Sequence, residues 1–323
     1  MMYYLGIDGG GTKTKFIICD KQGKKIACAE TGTSHYLQIG LDGVTQVLSE
    51  GIAEVCKKAN ISKEQIACAF VGSPGFGDVK DDVVRIKEAV TKAMGPIKYN
   101  IGNDGVNALA GALCGEDGIN IVAGTGSIGF GYNSETDETV SCGGWHHALG
   151  SDEGSGYWFA REILHEFTRQ ADGRDERTPL YEALRRHLQV KDDGEVISII
   201  IEKWKMDRSK MASLSVLIDE LYEVKDPYAM KMLEDASTEL ADIVNTIYKN
   251  IGFTKEVKVS YTGGVFKMGD KIVKPLGEKL LKGKMQLVSP ALGPEDGSLV
   301  LALKNDGVAI DETVINNLKT SVA

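Results

Sequence analysis

One order of strand-like and helical segments occurs twice along the chain, and this repetition constrains the fold more than any other feature. Within residues 1–115, three strand-like runs are followed by a helix, a strand, a helix, a strand and a helix. The same order begins again at Ile119. In this second copy, a long helical stretch, about residues 153–250, separates the third strand from the fourth. Strands that alternate with helices are typical of mixed sheets whose later strands are parallel. The sequence therefore predicts two α/β domains, the second with a helical insertion.

The length of 323 residues agrees with two domains, because chains longer than about 250–300 residues usually divide into more than one core. We place the N-terminal domain at residues 1–115 and the C-terminal domain at residues 116–304. The tail, residues 305–323, is weakly helical, and we expect it to pack against the N-terminal domain.

Composition excludes several classes of function. Hydrophobic residues make up 42% of the chain and charged residues 26%, as in globular proteins that dissolve in water. We expect a cytoplasmic protein without a membrane partner, because no apolar run is long enough to cross a bilayer and no signal pattern opens the chain. The net charge of −9 argues against a nucleic-acid partner. The six cysteines form no CxxC pair, and we expect them to be reduced.

The first predicted strand ends in an acidic residue and a glycine-rich turn, Asp8-Gly-Gly-Gly-Thr-Lys-Thr14. Glycines let backbone N–H groups approach an anion, hydroxyls add donors, and a carboxylate can hold a metal ion through water. The segment predicts a phosphate site in which Asp8 holds Mg²⁺, although a plain turn between two strands has the same pattern. Lys13 either adds charge to that site or lies in solvent at the strand edge. The candidate phosphate-binding residues are Gly9, Gly10, Gly11, Thr12, Lys13 and Thr14.

Two further glycine turns follow strands in the second half of the chain. Gly124-Thr125-Gly126-Ser127 joins two strand-like runs, and Gly263-Gly264 follows a strand predicted at 257–261. The first turn opens a formal G-x-G-x-x-G sequence, but a dinucleotide site needs a helix next, and here a strand follows. A Walker A sequence occurs in neither. We therefore expect phosphate to bind two hairpins, one from each domain. Gly263-Gly264 fits a nucleobase platform and a plain strand-to-helix turn equally well.

Asp104 is the candidate general base. It follows a strand predicted at 97–101, which places it where ligands bind in open α/β sheets. Phosphoryl transfer to an alcohol needs a carboxylate that orients the hydroxyl and accepts its proton. Asn103-Asp104 also fits the start of a helix, where either side chain can serve as the N-cap. The residues alone leave both roles open.

Together these motifs resemble the sugar kinase–Hsp70–actin superfamily and, within it, the BadF/BadG/BcrA/BcrD ATPase family and its N-acetylglucosamine kinase branch. The segments 8–14 and 124–127 resemble the two phosphate motifs, Gly263-Gly264-Val265 the adenosine motif, and the segment around Asn103-Asp104 the one that carries the catalytic aspartate. The resemblance implies duplicated ribonuclease H-like (actin-like ATPase) domains, with ATP and Mg²⁺ as cofactors. It also implies Asp104 as the base.

The most specific match is to the sugar-site signature of that branch, Cys142-Gly-Gly-Trp145 followed by Asp152-Glu-Gly-Ser-Gly-Tyr-Trp158. The stretch between the two parts is one residue longer here, and Ser34-His35-Tyr36 replaces an Asn-His-aromatic run. Trp145 fits either an apolar wall against the sugar or a core position. The sugar-binding residues that the resemblance implies are Ser34, His35, Tyr36, Ser73, Asn103, Asp104, Gly143, Gly144, Trp145, Asp152 and Glu153.

The expected function is an ATP-dependent kinase that phosphorylates an amino sugar, which is N-acetylglucosamine, N-acetylmuramic acid or glucosamine, at the 6-hydroxyl. The resemblance also implies a homodimer. The alternative is the other branch of the family, ATPase activators of radical dehydratases or benzoyl-CoA reductase-type systems. Their second phosphate motif resembles Asp-Ile-Gly-Gly-Gln-Asp, whereas this chain has Val122-Ala-Gly-Thr-Gly-Ser127 and keeps the Gly-Gly-Trp signature. The kinase is therefore the favoured interpretation.

Overall fold

A computed structural model describes residues 2–320 of the chain. The chain forms two compact units. The first contains the residues up to Gly118 together with those from Ser289 onward, and the second spans Ile119–Val288. None of the helices within residues 2–320 has the length and apolar character needed to cross a membrane.

The first unit begins with five strands and three helices: β1 (Tyr3–Gly9), β2 (Lys13–Cys19), β3 (Lys25–Gly32), α1 (Tyr36–Ala59), β4 (Ile66–Ser73), α2 (Asp82–Met94), β5 (Tyr99–Asn103) and α3 (Asp104–Ala112). The strands form one sheet in the order β3-β2-β1-β4-β5. Strand β2 runs antiparallel to both β1 and β3, whereas β4 runs parallel to both β1 and β5. Helix α1 begins at Tyr36, where the side chain of His35 caps it, and it bends at Gly40 (φ 71°).

The second unit contains five more strands and seven more helices: β6 (Gly118–Ala123), β7 (Ser127–Asn133), β8 (Glu138–Gly143), α4 (Gly156–Ala171), α5 (Pro179–Leu188), α6 (Glu195–Ile197), α7 (Arg208–Ala212), α8 (Leu217–Glu223), α9 (Pro227–Asn250), β9 (Val257–Thr262), α10 (Asp270–Lys279) and β10 (Met285–Leu287). The strand order is β10-β9-β6-β7-β8. A strand follows the Gly124–Gly126 turn directly, which agrees with the exclusion of a dinucleotide site.

The two sheets repeat one arrangement, so the predicted duplicated α/β architecture is confirmed. In each sheet the first strand lies centrally, the second and third follow on one side, and the fourth and fifth on the other. Helices α1 and α9 also correspond: both have 24 residues, and both lie between the third and fourth strands of their unit. Helix α9 packs on β7 and β8. The predicted insertion, 153–250, is therefore too long at its C-terminal end, because α9 belongs to the repeated core.

The chain ends with α11 (Pro294–Asn305) and α12 (Glu312–Leu318), and both belong to the first unit. Residues 289–304 were predicted to belong to the C-terminal domain. This prediction is wrong, because α11 packs on β1, β4 and α3. The tail lies in the same core as expected, through Val314 and Leu318, although its residues 321–323 lie outside the described part.

The first sheet is buried on both faces, and strand alternation divides its side chains between two cores. Leu5 and Ile7 of β1 pack with apolar residues of α1 and α2 on one face. Tyr4 packs on the other face, with side chains of α11 and α12. This packing fixes the ends of β1, β4 and β5, where the candidate site residues of this unit lie.

Candidate functional site

In the first unit, the glycine turn joins β1 to β2 as a tight hairpin. The backbone N–H of Gly10 donates to the carbonyl of Lys13 across 2.9 Å, and Gly9 pairs with Thr14. A Cβ at Gly9 would lie 2.4 Å from Ser34 Oγ and 2.6 Å from the carbonyl of Gly72. Only glycine fits there. A Cβ at Gly11 would make only an ordinary contact of 3.7 Å with Gln38 Nε2, and Gly11 is exposed, like Thr12, so these backbone groups are accessible to a ligand.

The two lysines of this hairpin have different surroundings. Lys13 forms an exposed ion pair of 2.8 Å with Glu30, which agrees with the interpretation of a solvated residue at the strand edge. Lys15 pairs with Glu295 of α11 across 2.8 Å and is less exposed. Burial raises the pKa of Asp8, and the charge of Lys15 opposes part of that rise. Lys15 is thus the lysine of this hairpin whose charge acts on Asp8, the predicted metal ligand. The sequence motif did not point to Lys15.

Asp8 is a largely buried carboxylate held by Asn107 of α3. The side-chain amide of Asn107 donates to Asp8 Oδ1 across 2.8 Å and to the carbonyl of Ile7 across 3.3 Å. Burial raises the pKa of Asp8 to about 7, and the Asn107 hydrogen bond partly opposes this effect. A divalent cation would keep this carboxylate ionised. Asp8 therefore fits a hard-metal ligand of the kind that Mg²⁺ prefers.

Asp104 is the first residue of α3, and its carboxylate is not the cap of that helix. Asn103 is the N-cap, and its Oδ1 accepts the N–H of Gly105 across 3.0 Å. Burial raises the pKa of Asp104 to about 6, and the charge of Asp78 adds to this rise. Hydrogen bonds from the backbone N–H groups of Asp104 and Gly105 partly oppose this rise in the pKa. A carboxylate with a raised pKa suits a group that accepts a proton near neutral pH.

The other predicted sugar residues of the first unit surround the loop after β4. Ser34 is buried, and its hydroxyl has no partner, as is also true of Thr14 Oγ1. Tyr36 donates to Asp82 across 2.9 Å, and the rings of His35 and Tyr36 stack. The Asn103 amide donates to the carbonyl of Phe76 across 3.2 Å. Ser73 is buried at the end of β4, beside Asn103 in the register.

In the second unit, the β6–β7 turn is held by the start of α4. The N–H groups of Gly156 and Tyr157 donate to the carbonyls of Gly124 (2.8 Å) and Thr125 (3.2 Å). The Ser127 hydroxyl donates to the carbonyl of Glu153 across 2.6 Å. This leaves the hydroxyl of Ser127 committed within the protein.

A cavity of about 400 Å³ opens beside this turn. Three segments line it: Gly124 and Thr125 with Gly156, the insertion residues 209–216, and the residues 264–267 that follow β9. Gly263 (φ 109°) allows the chain to turn there, because a Cβ would lie 2.3 Å from the carbonyl of Ala123. The second and third glycine turns are thus brought together, with Val265 buried at the wall. The volume of the cavity is that of a pocket for a small ligand.

The sugar-signature residues of the second unit lie in different environments. Gly143 and Gly144 both have positive φ, and a Cβ at Gly144 would lie 2.7 Å from Ile128. Trp145 is 74% exposed, which excludes the core alternative. Glu153 Oε2 accepts a weak hydrogen bond from Ser151. Asp152 is buried, with both carboxylate oxygens bonded to the protein.

Three other polar residues interact with the candidate site residues and were not predicted from the sequence, namely Asn107, Asp78 and Arg208. Asn107 lies three residues after Asp104, one helical turn along α3, so a helical projection from Asp104 could have found it. Asp78 and Arg208 act on residues distant in sequence, and no local pattern points to them. Within residues 2–320, no group of three His, Cys, Asp or Glu side chains is arranged to bind a metal ion. A metal at Asp8 would therefore need water and phosphate as further ligands.

Comparison with known proteins identifies the family. A model of the BadF/BadG/BcrA/BcrD ATPase family matches residues 5–302. The N-acetyl-D-glucosamine kinase of Dictyostelium discoideum is 32% identical, over 94% of this chain and 98% of its own length. The N-acetylmuramic acid/N-acetylglucosamine kinase of Clostridium acetobutylicum is 30% identical, over 82% and 86%.

The fold has a close match among solved structures. A protein from Chromobacterium violaceum, provisionally named an N-acetylglucosamine kinase, aligns with a TM-score of 0.72 at 24% identity, over 94% of this chain and 99% of that one. This match shows a shared fold, and the predicted class of duplicated actin-like ATPase domains is confirmed. With a family model that spans nearly its whole length, this chain belongs to the BadF/BadG/BcrA/BcrD ATPase family.

Proposed function

We propose that this protein is an ATP-dependent amino-sugar kinase that transfers the γ-phosphoryl group to the 6-hydroxyl of N-acetylglucosamine, N-acetylmuramic acid or glucosamine. The observation that carries the proposal is Asp104, a half-buried carboxylate at the start of α3 whose pKa desolvation raises to about 6, while Asn103 is the N-cap of that helix. The names of the relatives from Dictyostelium discoideum and Clostridium acetobutylicum support an amino sugar as acceptor.

In this mechanism Asp104 accepts the proton of the sugar hydroxyl. The hydroxyl oxygen forms a bond to the γ-phosphorus, the bond from that phosphorus to the β,γ-bridging oxygen breaks, and ADP leaves. In the first unit, the hairpin from Gly9 to Thr14 is the proposed phosphate site, with the exposed backbone of Gly11 and the exposed hydroxyl of Thr12 as its accessible donors, since the N–H of Gly10 already donates to the carbonyl of Lys13. The fixed positions of these donors in a hairpin reduce the reorganisation that the transition state requires.

The second unit offers Gly124, Thr125 and Gly126 to the nucleotide, beside the cavity of about 400 Å³. The adenosine is proposed to lie against Gly263, Gly264 and Val265. Gly264 suits this role, because nothing lies within 4 Å of a Cβ built there. The surface that a flat ring would cover is therefore open.

Mg²⁺ is proposed as the metal and Asp8 as the residue that holds it, through water. When bound, the ion would neutralise charge on the phosphates of ATP. Asn107 keeps the Asp8 carboxylate oriented, and Lys15 supplies the nearest positive charge of the hairpin. The buried, desolvated state of Asp8 supports this assignment.

For the sugar, the proposed contacts are Ser34, His35, Tyr36, Ser73 and Asn103 in the first unit and Gly143, Gly144, Trp145, Asp152 and Glu153 in the second. The buried hydroxyl of Ser34 supports a role in binding because it has no hydrogen-bond partner within the protein. The ring of Trp145 supports such a role because it is exposed. The homodimer and the cytoplasmic location expected from the sequence belong to the same proposal, and light scattering tests the dimer.

A coupled assay of ADP release over a panel of sugars tests the function. We expect turnover with one or more of the three amino sugars, and at most weak turnover with glucose. Asp104→Asn should lower kcat by about 10²–10⁴-fold, the usual contribution of a general base, and leave ATP binding near that of the wild type. ATP hydrolysis that no sugar stimulates would contradict the kinase and favour an ATPase activator.

A further inference from the structure

The cavity beside the Gly124–Ser127 turn has two walls that come from distant parts of the chain. Residues 209–216 form one of them, the insertion wall, and residues 264–267 form the other, the β9 wall. A smaller cavity of about 260 Å³ adjoins the first and is lined by both walls, with Asp219 and Met268 as additional lining residues. A ligand held between the two walls therefore depends on their separation.

Each wall leads directly into a helix. Helix α8 begins at Leu217, the residue after the insertion wall, and α10 begins at Asp270, three residues after the β9 wall. Both helices pack on α9. Because each wall is continuous in the chain with its helix, the distance between α8 and α10 influences the distance between the two walls.

Lys271, in the first turn of α10, joins the two helices through its side chain. Its Nζ lies 2.6 Å from Asp219 Oδ1 and 2.7 Å from Glu223 Oε1, and both carboxylates belong to α8. The ammonium also lies 4.9 Å from the centre of the Tyr222 ring, within the range of a cation–π contact. The side chain of Lys271 is only 19% exposed. One largely covered ammonium thus has three partners on α8.

This arrangement differs from an ordinary surface ion pair. A single exposed pair contributes little, because solvent screens the charges and two long side chains lose freedom. Here two carboxylates and a ring share one ammonium, so the ordering of one lysine serves three contacts. Asp219 and Glu223 lie four residues apart on α8, where like charges repel each other. Loss of the ammonium would leave that repulsion uncompensated, so Lys271 stabilises α8 as well as its link to α10.

We propose that Lys271 is a positioning residue that links α8 to α10 and so fixes the separation of the insertion wall and the β9 wall around the nucleoside of ATP. This inference rests on the proposed use of ATP and of this cavity for the adenosine. The sugar and the catalytic base do not depend on the link, because the proposed sugar contacts and Asp104 lie outside both walls.

The test measures the Kd of ATP by calorimetry, without sugar, in full-length variants. Lys271→Met should raise the Kd about threefold to tenfold, as expected when one or two partly exposed ion pairs are lost. Lys271→Arg keeps the charge and should restore most of the affinity. At saturating ATP, the kcat and the KM of the sugar should stay within about twofold of the wild-type values, because the link acts on the nucleoside alone.

Glu223→Gln separates positioning from direct contact, because Glu223 pairs with Lys271 but does not line either cavity. It should raise the Kd of ATP less than Lys271→Met does. The double variant should bind ATP no more weakly than Lys271→Met alone, because both changes remove the same interaction. Glu223→Gln also keeps the test valid if Lys271→Met does not fold.

Lys279→Met is the matched control. Lys279 lies on the same helix, its side chain is 24% exposed, and it pairs with Glu234 of α9 across 2.8 Å. Its loss should leave the Kd of ATP unchanged, because neither partner lies beside the cavity walls.

Three results would overturn the inference: an unchanged Kd in Lys271→Met, an equal rise in Lys279→Met, or additive effects of Lys271→Met and Glu223→Gln. A wild-type protein that binds ATP but phosphorylates no sugar would contradict the proposed kinase and leave the role of Lys271 intact. A wild-type protein that binds no ATP would overturn both.

Discussion

The surroundings of Asp104 that suit its proposed role as the base also lower the free energy of unfolding at neutral pH. Its pKa in the folded state is about 6, above the ordinary value of 3.8, because burial disfavours the charged form. The unfolded chain ionises at the lower pH. Folding is therefore favoured by Asp104 only below about pH 4, and that contribution is lost as the pH rises through about 6. At neutral pH the ionised carboxylate makes the native state less stable.

Asp104→Asn should consequently stabilise the protein at pH 8 while abolishing transfer. We expect a gain of about 1–3 kcal/mol in the free energy of unfolding, since one pKa unit corresponds to about 1.4 kcal/mol. The gain should shrink as the pH falls from 6 towards 4. Urea denaturation at several pH values measures it, and an Asn variant less stable than the wild type at pH 8 would contradict the argument.

The same pKa predicts the acid side of the pH–rate profile. A base with a pKa near 6 is protonated below that pH and cannot accept the proton of the hydroxyl. At saturating substrates, kcat should therefore fall about tenfold per pH unit below pH 6, whereas an ordinary aspartate would stay active to about pH 4. Full activity at pH 5 would exclude Asp104 as the base.

At the scale of elements, the glycines of the β1–β2 hairpin have two different roles. Gly9 is required by packing, whereas Gly11 is proposed to serve the ligand. Gly9→Ala should lower the free energy of unfolding by about 1–3 kcal/mol, the usual cost of overpacking, because the new Cβ meets Ser34 Oγ and the carbonyl of Gly72. Gly11→Ala is the matched control: its nearest neighbour would be 3.7 Å away. Its melting temperature should match that of the wild type. Equal destabilisation of both variants would contradict this division.

Local patterns predicted most elements, and the exceptions have physical causes. The glycine turns and the strands beside them carry their signal in adjacent residues. The start of α1 has only a weak signal in the sequence, because Gly40 and Gly43 weaken the helical pattern and the cap, His35, is not a common N-cap residue. The pairing of Asp152 with Arg208 spans 56 residues, and the Asp8–Asn107 bond spans 99. Such contacts depend on tertiary packing, which no local pattern encodes.

At the scale of the whole molecule, the two units differ in chain continuity. The second is one continuous segment, Ile119–Val288, whereas the first needs both ends of the chain. The cavity beside the Gly124–Ser127 turn is lined by residues of the second unit alone. A continuous unit with its own core has the features of an independently folding domain.

We therefore expect a fragment of residues 119–288 to fold and to bind ATP, with lower affinity than the whole protein because the Asp8–Thr14 hairpin is missing. Circular dichroism and calorimetry measure both properties. A fragment of residues 1–118 is the matched comparison, and it should remain unfolded because α11 and α12 are absent. A folded 1–118 fragment, or an unfolded 119–288 fragment, would contradict this assignment.

The return of the chain into the first unit also determines when that unit can be completed during synthesis. Domains usually fold as they leave the ribosome, the N-terminal one first. Here Tyr4, Ile17 and Phe70 lack the cover of α11 on their face of the sheet until Leu299 and Leu303 have been made. The second unit ends at Val288, so its synthesis is complete before that of the first unit, which also needs the residues from Ser289 onward. The nascent chain thus exposes an apolar sheet face for most of its translation, which makes this half the part that chaperones would need to protect.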